Sequence, residues 1–426
     1  MKPLWEFLDE HVRVTRRFFI GSGVAVGTLR DWWSSDTLAR EPAVPIDPAS
    51  ESFPESLREA ISKLEPYFTP ATDFRDVSRG KPIPHTLDDD QKKAAGLTRE
   101  TWKLEVISDP EHPAKIRRPV TLTFDELLQL GSKQAVRFPK VMTCLNIGCP
   151  LGMGIWEGVP LRDVVWMTKP TENLRRVHYW GFHNQDPEQR FRSSLPIGRV
   201  LEDPFDLPPV ILAYKLNGDW LDSIRGGPVR IIVPEAYGFK SVKWLTHVVL
   251  SNLWHANDTY ANGNNDIDSP LKSFAATLHL PRKCKANTIL PVTGYAQVGV
   301  SGLQKVQVSM HRQDHEWPAG DPYYDSATWH DATILGPPKT WGGNLPEGKI
   351  PANTLGFEPG TGRPIAWPPP LGKAHWAIAL PGVQPGDYVV RCRTIDAKGI
   401  AQPRPRPFQK SGHAALEQVE ISVESA

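Results

Sequence analysis

Four cysteines occur in 426 residues, at positions 144, 149, 284 and 392. None forms a C-x-x-C pair. That excludes a zinc ribbon, a thioredoxin-type redox motif, a C-x-x-C-H haem attachment and an iron–sulfur ladder. Cys144 differs from the others in its setting. It follows the run Val136–Thr143, which reads as a strand, and a strand end holds a side chain rigidly. A thiolate held that way is a soft ligand for a transition metal, whereas an isolated cysteine ordinarily ends as a buried core thiol. Cys149, five residues on, reads as a loop or core thiol. The second chemical signal is Arg230, inside the continuous apolar run Val229–Pro234. A surface charge would be poorly placed in such a buried strand, and a guanidinium offers a two-pronged fork to phosphate.

These residues need a frame. Leu57–Glu65 reads as a short helix and Phe68–His85 as irregular, punctuated by Pro70, Gly80, Pro82 and Pro84. Trp102–Ser108 and Lys243–Ser251 read as strands. Thr123-Phe124-Asp125-Glu126 fits a capping box for a helix ending near Gly131, and Pro160 opens a helix over Pro160–Trp166. Beyond about Arg282 the pattern changes to period two, over Lys305–His311, His375–Leu380, Asp387–Asp396 and Gln418–Val423. Short strands with Gly/Pro turns and no helical period predict a β-sandwich. Trp317–Lys373 has no clear period and reads as an ordered surface excursion.

Two blocks then carry a resemblance. One is Cys144 followed by Trp156-Glu157-Gly158-Val159-Pro160-Leu161-Arg162-Asp163-Val164. The other is Gly226-Gly227-Pro228-Val229-Arg230-Ile231-Ile232-Val233-Pro234 with Tyr237-Gly238-Phe239-Lys240-Ser241-Val242-Lys243-Trp244-Leu245. Together they resemble the sulfite oxidase family of molybdenum-cofactor oxidoreductases, over roughly Phe68–Val423. The resemblance implies an α+β chain: a mixed α/β molybdopterin-binding domain of the sulfite oxidase fold over residues 41–281, then an immunoglobulin-like β-sandwich for dimerisation over 282–426. It implies molybdenum–molybdopterin as cofactor, with Cys144 as the protein ligand to the metal and the catalytic centre. Arg230, Ser241, Val242 and Lys243 match cofactor-contact positions. Arg225 stands where the family commonly has Asn or His. Arg75 and Arg79, in the loop before Pro82, are alternatives for one further cationic contact. His183 takes a place where sulfite oxidases carry Asp, and serves either as a loop histidine or as a ligand contact.

The implied reaction is oxygen-atom transfer coupled to two electrons. Sulfite oxidases continue past their cysteine with Asn-Arg-Arg, whereas this chain has Asn146-Ile147-Gly148-Cys149. The expected substrate is therefore sulfite, handled weakly, or an S-oxide that is reduced. A cofactor-free exported binding protein is the alternative outside enzymology, and the presence of Cys144 argues against it. A separate redox partner such as a cytochrome and a homodimer are expected.

Composition agrees with a globular chain of this kind. Lys and Arg number 49 and Asp and Glu 48, a net charge of +1 that does not point to nucleic acid as a partner. The 42 prolines and 33 glycines predict loops and strands rather than long helices. Near the N-terminus, Arg16-Arg17 precede a short apolar run, Phe18–Leu29, too short to span a bilayer. This resembles a twin-arginine signal, so residues 1–40 are read as export signal and linker, and the location as periplasmic after export in the folded state.

Overall fold

A computed structural model describes residues 52–425 except 269, 322, 404, 405, 413 and 414. The twin-arginine expectation at residues 1–40 lies outside the described residues. The described residues form one compact unit.

Three sheets organise it. The first runs in the order Val120–Thr123, Lys103–Ser108, Leu245–Ser251, Arg176–Gly181, Arg192–Pro196, with only the Lys103–Ser108/Leu245–Ser251 pair parallel. The second runs Asp219–Trp220, Ile211–Leu216, Pro150–Pro160, Val136–Thr143, and Arg230–Ile232 also pairs with Ile211–Leu216. The third has eight strands: Phe274–His279, Leu290–Gln297, Lys373–Leu380, His330–Ile334, Lys305–Arg312, Gly386–Ile395, Glu417–Glu424 and Lys283–Lys285.

The local signals explain most of these elements. The capping box holds: Thr123 Oγ1 accepts from the Glu126 N–H at 3.3 Å, and Glu126 Oε2 accepts from the Thr123 N–H at 2.8 Å. Its helix, Phe124–Gln134, passes Gly131 instead of ending there. The Tyr214 ring packs where a Cβ at 131 would stand, so the glycine serves packing and does not act as a stop. Val136–Thr143 forms as expected and is buried from Phe138 onward.

Pro150–Pro160 forms a strand through three glycines, Gly152, Gly154 and Gly158. A Cβ at Gly158 would lie 2.1 Å from the Leu212 carbonyl oxygen, so glycine is what lets Ile211–Leu216 pair there.

One expectation is corrected. Trp317–Lys373 is not a surface excursion. His330–Ile334 enters the third sheet, and Trp341, Leu345, Phe357 and Leu371 share a core with Tyr67, Phe68, Met153 and Ile155. The Trp341 and Phe68 rings stack at 5.6 Å, and this apolar burial outweighs the lack of period. Phe274–His279 pairs along Leu290–Gln297 and so joins the third sheet ahead of residue 282. The inward positions of that sheet, among them Val306, Val308, Trp376, Val390 and Cys392, form their own core. Burial there pushes the Cys392 thiol well up, which makes it an inert packing residue.

Candidate active site

The strand Val136–Thr143 delivers Cys144 to the wall of a cavity of about 180 Å³. The hairpin to Pro150 is short. The Cys144 N–H donates to the Cys149 carbonyl at 3.3 Å, and the Gly148 N–H to the Cys144 carbonyl at 3.0 Å. These bonds hold the half-buried thiol in place before any ligand arrives.

The opposite block supplies positive charge. Arg225 and Arg230 are buried, and Lys243 is nearly so, its side chain 15% exposed. Arg225 Nη1 donates to the Phe74 carbonyl at 2.7 Å, and Arg230 Nη1 to the Arg225 carbonyl at 2.8 Å. Arg230 Nη2 donates to the Ser241 carbonyl at 2.5 Å, and the guanidinium lies over the Trp156 ring. Neither Arg225 Nε nor Arg230 Nε has a protein partner. Lys243 Nζ donates to Asp76 Oδ1 at 2.9 Å, Ser78 Oγ at 2.6 Å and the Ile224 carbonyl at 2.7 Å.

The electrostatic consequence is strain on the charged forms. Burial, reinforced by the Arg225 charge, lowers Arg230 to about 9. Burial, reinforced by Arg230, lowers Lys243 to about 8 against the pull of Asp76. Asp76 goes the other way. Burial opposes its charge, but hydrogen bonds from Ser78 and Lys243 outweigh that and hold it at about 2. Lys140, wholly buried four residues before Cys144, donates to the carbonyls of Pro234 at 2.6 Å and Ala236 at 2.7 Å, and burial brings it down to about 7. It ties the cysteine strand to the segment that leads to Ser241.

All nine residues singled out in the sequence line this one cavity: Cys144, Arg75, Arg79, His183, Arg225, Arg230, Ser241, Val242 and Lys243. Their parts differ. Arg75 and Arg79 are exposed, Arg79 lying over the Phe191 ring at 5.1 Å. Ser241 Oγ accepts from the Val233 N–H at 3.2 Å, and the Val242 carbonyl from the Ile231 N–H at 3.1 Å, which fixes that segment on the Arg230 strand. His183 bonds through both nitrogens within the fold, Nδ1 with the Gly181 carbonyl at 2.7 Å and Nε2 accepting from the Phe191 N–H at 3.2 Å. Burial lowers it to about 4, so it is neutral and offers the cavity its ring.

Sequence reasoning missed Tyr260 and Asn146. The Tyr260 hydroxyl donates to Asn146 Oδ1 at 2.9 Å, and its ring lies flat on Phe239 at 4.2 Å. Burial and the neighbouring Cys144 raise Tyr260 to about 12. Asn146 stood in the cysteine motif, but Tyr260 lies on a four-residue helix with no local signature.

Among the described residues, five cationic side chains and no carboxylate line the cavity beside a thiol. Lys243 already meets Asp76, but buried cations require an anion, and the unpartnered Nε atoms of buried Arg225 and Arg230 mark its lack. The residues therefore fit a ligand with a soft metal at one group and a phosphate at another, as molybdopterin has.

The comparisons agree. The family described as oxidoreductase molybdopterin binding domain matches residues 92–258. The sulfite oxidase of Gallus gallus is 26% identical over 256 residues, covering 58% of this chain and 50% of that protein. The NADH nitrate reductase of Ulva prolifera is 29% identical over 171 residues, 34% of this chain and 19% of that one. The chain thus spans half or less of these relatives. In fold, the sulfane dehydrogenase SoxCD from Paracoccus pantotrophus aligns with a TM-score of 0.53 at 16% identity, over 89% of this chain and 98% of that one. The fold and cavity define a molybdopterin-binding oxidoreductase whose cofactor is molybdenum–molybdopterin. Within that class, the chain is similar to a sulfite oxidase and to an NADH nitrate reductase.

Proposed function

We propose that the chain transfers an oxygen atom to or from a small sulfur oxyanion, with sulfite oxidation as the first reaction to test. The observation that carries this reading is the cavity wall of five cations without a carboxylate around Cys144. When bound, the cofactor supplies the two-electron oxygen-atom chemistry. Cys144 supplies the protein sulfur to the metal. Arg225, Arg230 and Lys243 would hold the pterin phosphate by charge-assisted bonds, Lys243 exchanging one of its three present partners for it. Arg75 and Arg79, on exposed positions, attract the substrate anion. Tyr260 stays protonated at neutral pH and spends its proton on Asn146, so its oxygen faces a ligand as an acceptor. Phe191, Phe239 and Tyr260 limit water beside the thiol.

Reduction of an S-oxide is the second reading, favoured by that aromatic wall and by the lack of arginine over residues 145–149. Steady-state kinetics with sulfite and with methionine sulfoxide, each at low and high salt, separate the two. Sulfite turnover whose KM climbs with ionic strength supports the first, and turnover of methionine sulfoxide alone replaces it with the second.

The wider setting is also proposed. Arg16-Arg17 suggest folded export to the periplasm. Electrons would pass through a separate redox partner such as a cytochrome. The eight-stranded third sheet would be the immunoglobulin-like dimerisation element, and a monomeric mass by light scattering would remove that role.

A further inference from the structure

We propose that Cys144 and Cys149 form a reversible disulfide in the cofactor-free chain, a redox site that closes the metal ligand until the protein is reduced. The functional half of this proposal rests on the reading of Cys144 as the metal ligand.

The backbone places the pair. Thr143 and Pro150 are partners in the antiparallel ladder, so Cys144 and Cys149 stand opposite each other at the mouth of the hairpin, joined by the bond from the Cys144 N–H to the Cys149 carbonyl at 3.3 Å. Residues opposed in an antiparallel hairpin have Cα atoms about 4.5–5.5 Å apart and project to the same face. That separation lies inside the range of roughly 4.4–6.8 Å that a disulfide spans. Side-chain contacts agree: Arg75 Nη1 lies 3.5 Å from Cys149 Sγ, and the same Arg75 lines the cavity with Cys144. Both thiols are half-buried, so a small oxidant reaches them. The other two cysteines have no such arrangement. Cys392 is in the core opposite Glu417, and Cys284 pairs with Val423 on an edge strand.

The chemistry needs an oxidant, here a disulfide such as oxidised glutathione. One cysteine attacks it and releases one glutathione. The second cysteine attacks the mixed disulfide and releases the other, so the two thiol protons end on two glutathione molecules and two electrons pass to the reagent. In the loaded protein Cys144 would be held by the metal, leaving Cys149 no thiol to pair with. The hairpin thereby distinguishes a loaded chain from an empty one when either meets an oxidising compartment.

The test uses the full chain purified without cofactor, treated with oxidised glutathione, alkylated and analysed by peptide mass. The expected result is a 144–149 crosslink, absent from the cofactor-loaded protein and replaced by a glutathione adduct in Cys149→Ser. Full alkylation of both cysteines in the treated empty chain, or a crosslink to Cys284, overturns the proposal. Metal uptake then tests the consequence. Oxidised empty chain should take up molybdenum cofactor about tenfold less than reduced chain, with recovery on adding dithiothreitol, because a thiolate is required. A crosslink that forms without affecting uptake leaves the disulfide standing and refutes Cys144 as ligand. Unchanged uptake by reduced Cys144→Ser refutes the ligand independently.

Discussion

Arg230 Nη1 donates to the carbonyl of Arg225 at 2.8 Å, which sets a buried guanidinium against the backbone of a second buried arginine on the same cavity wall. Like charges in such a place repel and lose hydration. An apolar pair would serve the empty fold better, so the arrangement makes sense as a seat for an anion.

Arg230→Met should therefore separate binding from folding. We expect the variant to purify with much less molybdenum, at a cost of about 2–5 kcal/mol in cofactor binding. Its cofactor-free form should melt no lower than the cofactor-free parent. Parental metal content measured by mass spectrometry would exclude Arg230 from the phosphate seat.

The same charges set a pH dependence. Lys140, Lys243 and Arg230 are brought down to about 7, 8 and 9 by burial. The folded chain releases these protons at lower pH than the unfolded chain does. Over that interval the unfolded state binds more protons, so stability increases with pH. The cofactor-free protein should melt higher at about pH 9 than at about pH 7, and the difference should shrink once cofactor neutralises the site. Calorimetry showing a flat or falling trend for the empty protein would contradict this.

Gly226 has φ of +98°, and a Cβ there would lie 2.6 Å from Lys243 Cγ. Gly226→Ala should cost about 1–3 kcal/mol in backbone strain and also displace Lys243 from Asp76 and Ser78. Both the melting temperature and the molybdenum content should fall. A fall in melting temperature alone would mean that Lys243 does not hold the cofactor.

Arg79 is exposed and lies over Phe191. Arg79→Ala should raise the KM for sulfite by about tenfold, flatten its dependence on ionic strength and leave molybdenum content unchanged. An unaltered KM would move the substrate contact to Arg75.

Replacing Arg16 and Arg17 with Lys should leave folded, loaded protein in the cytoplasm. Cell fractionation that finds the double variant exported at the normal level would remove the signal assignment.

Much of the site was legible before folding was considered. Cys144, Arg230, Ser241, Val242 and Lys243 occur in contiguous blocks, because one strand end and one strand–turn segment each present several contacts. The strand Val136–Thr143 and the Thr123–Glu126 cap were likewise local, set by hydrogen bonds and side-chain period over a few residues. What local sequence could not decide was every case where the reason lay on another segment. Gly158 finds its reason only in Leu212, whose carbonyl leaves no room for a side chain, and Trp341 reads as surface excursion until Phe68 stacks on it. The choice between His183 as ligand and His183 as scaffold depended on Gly181 and Phe191 taking both its nitrogens. Tyr260 had no signature because its part comes from meeting Asn146, 114 residues away along the chain. Hydrophobic period and capping act over one or two turns and are written in neighbouring residues, whereas burial, pKa shifts and the gathering of like charges around a cavity depend on which distant segments exclude water together.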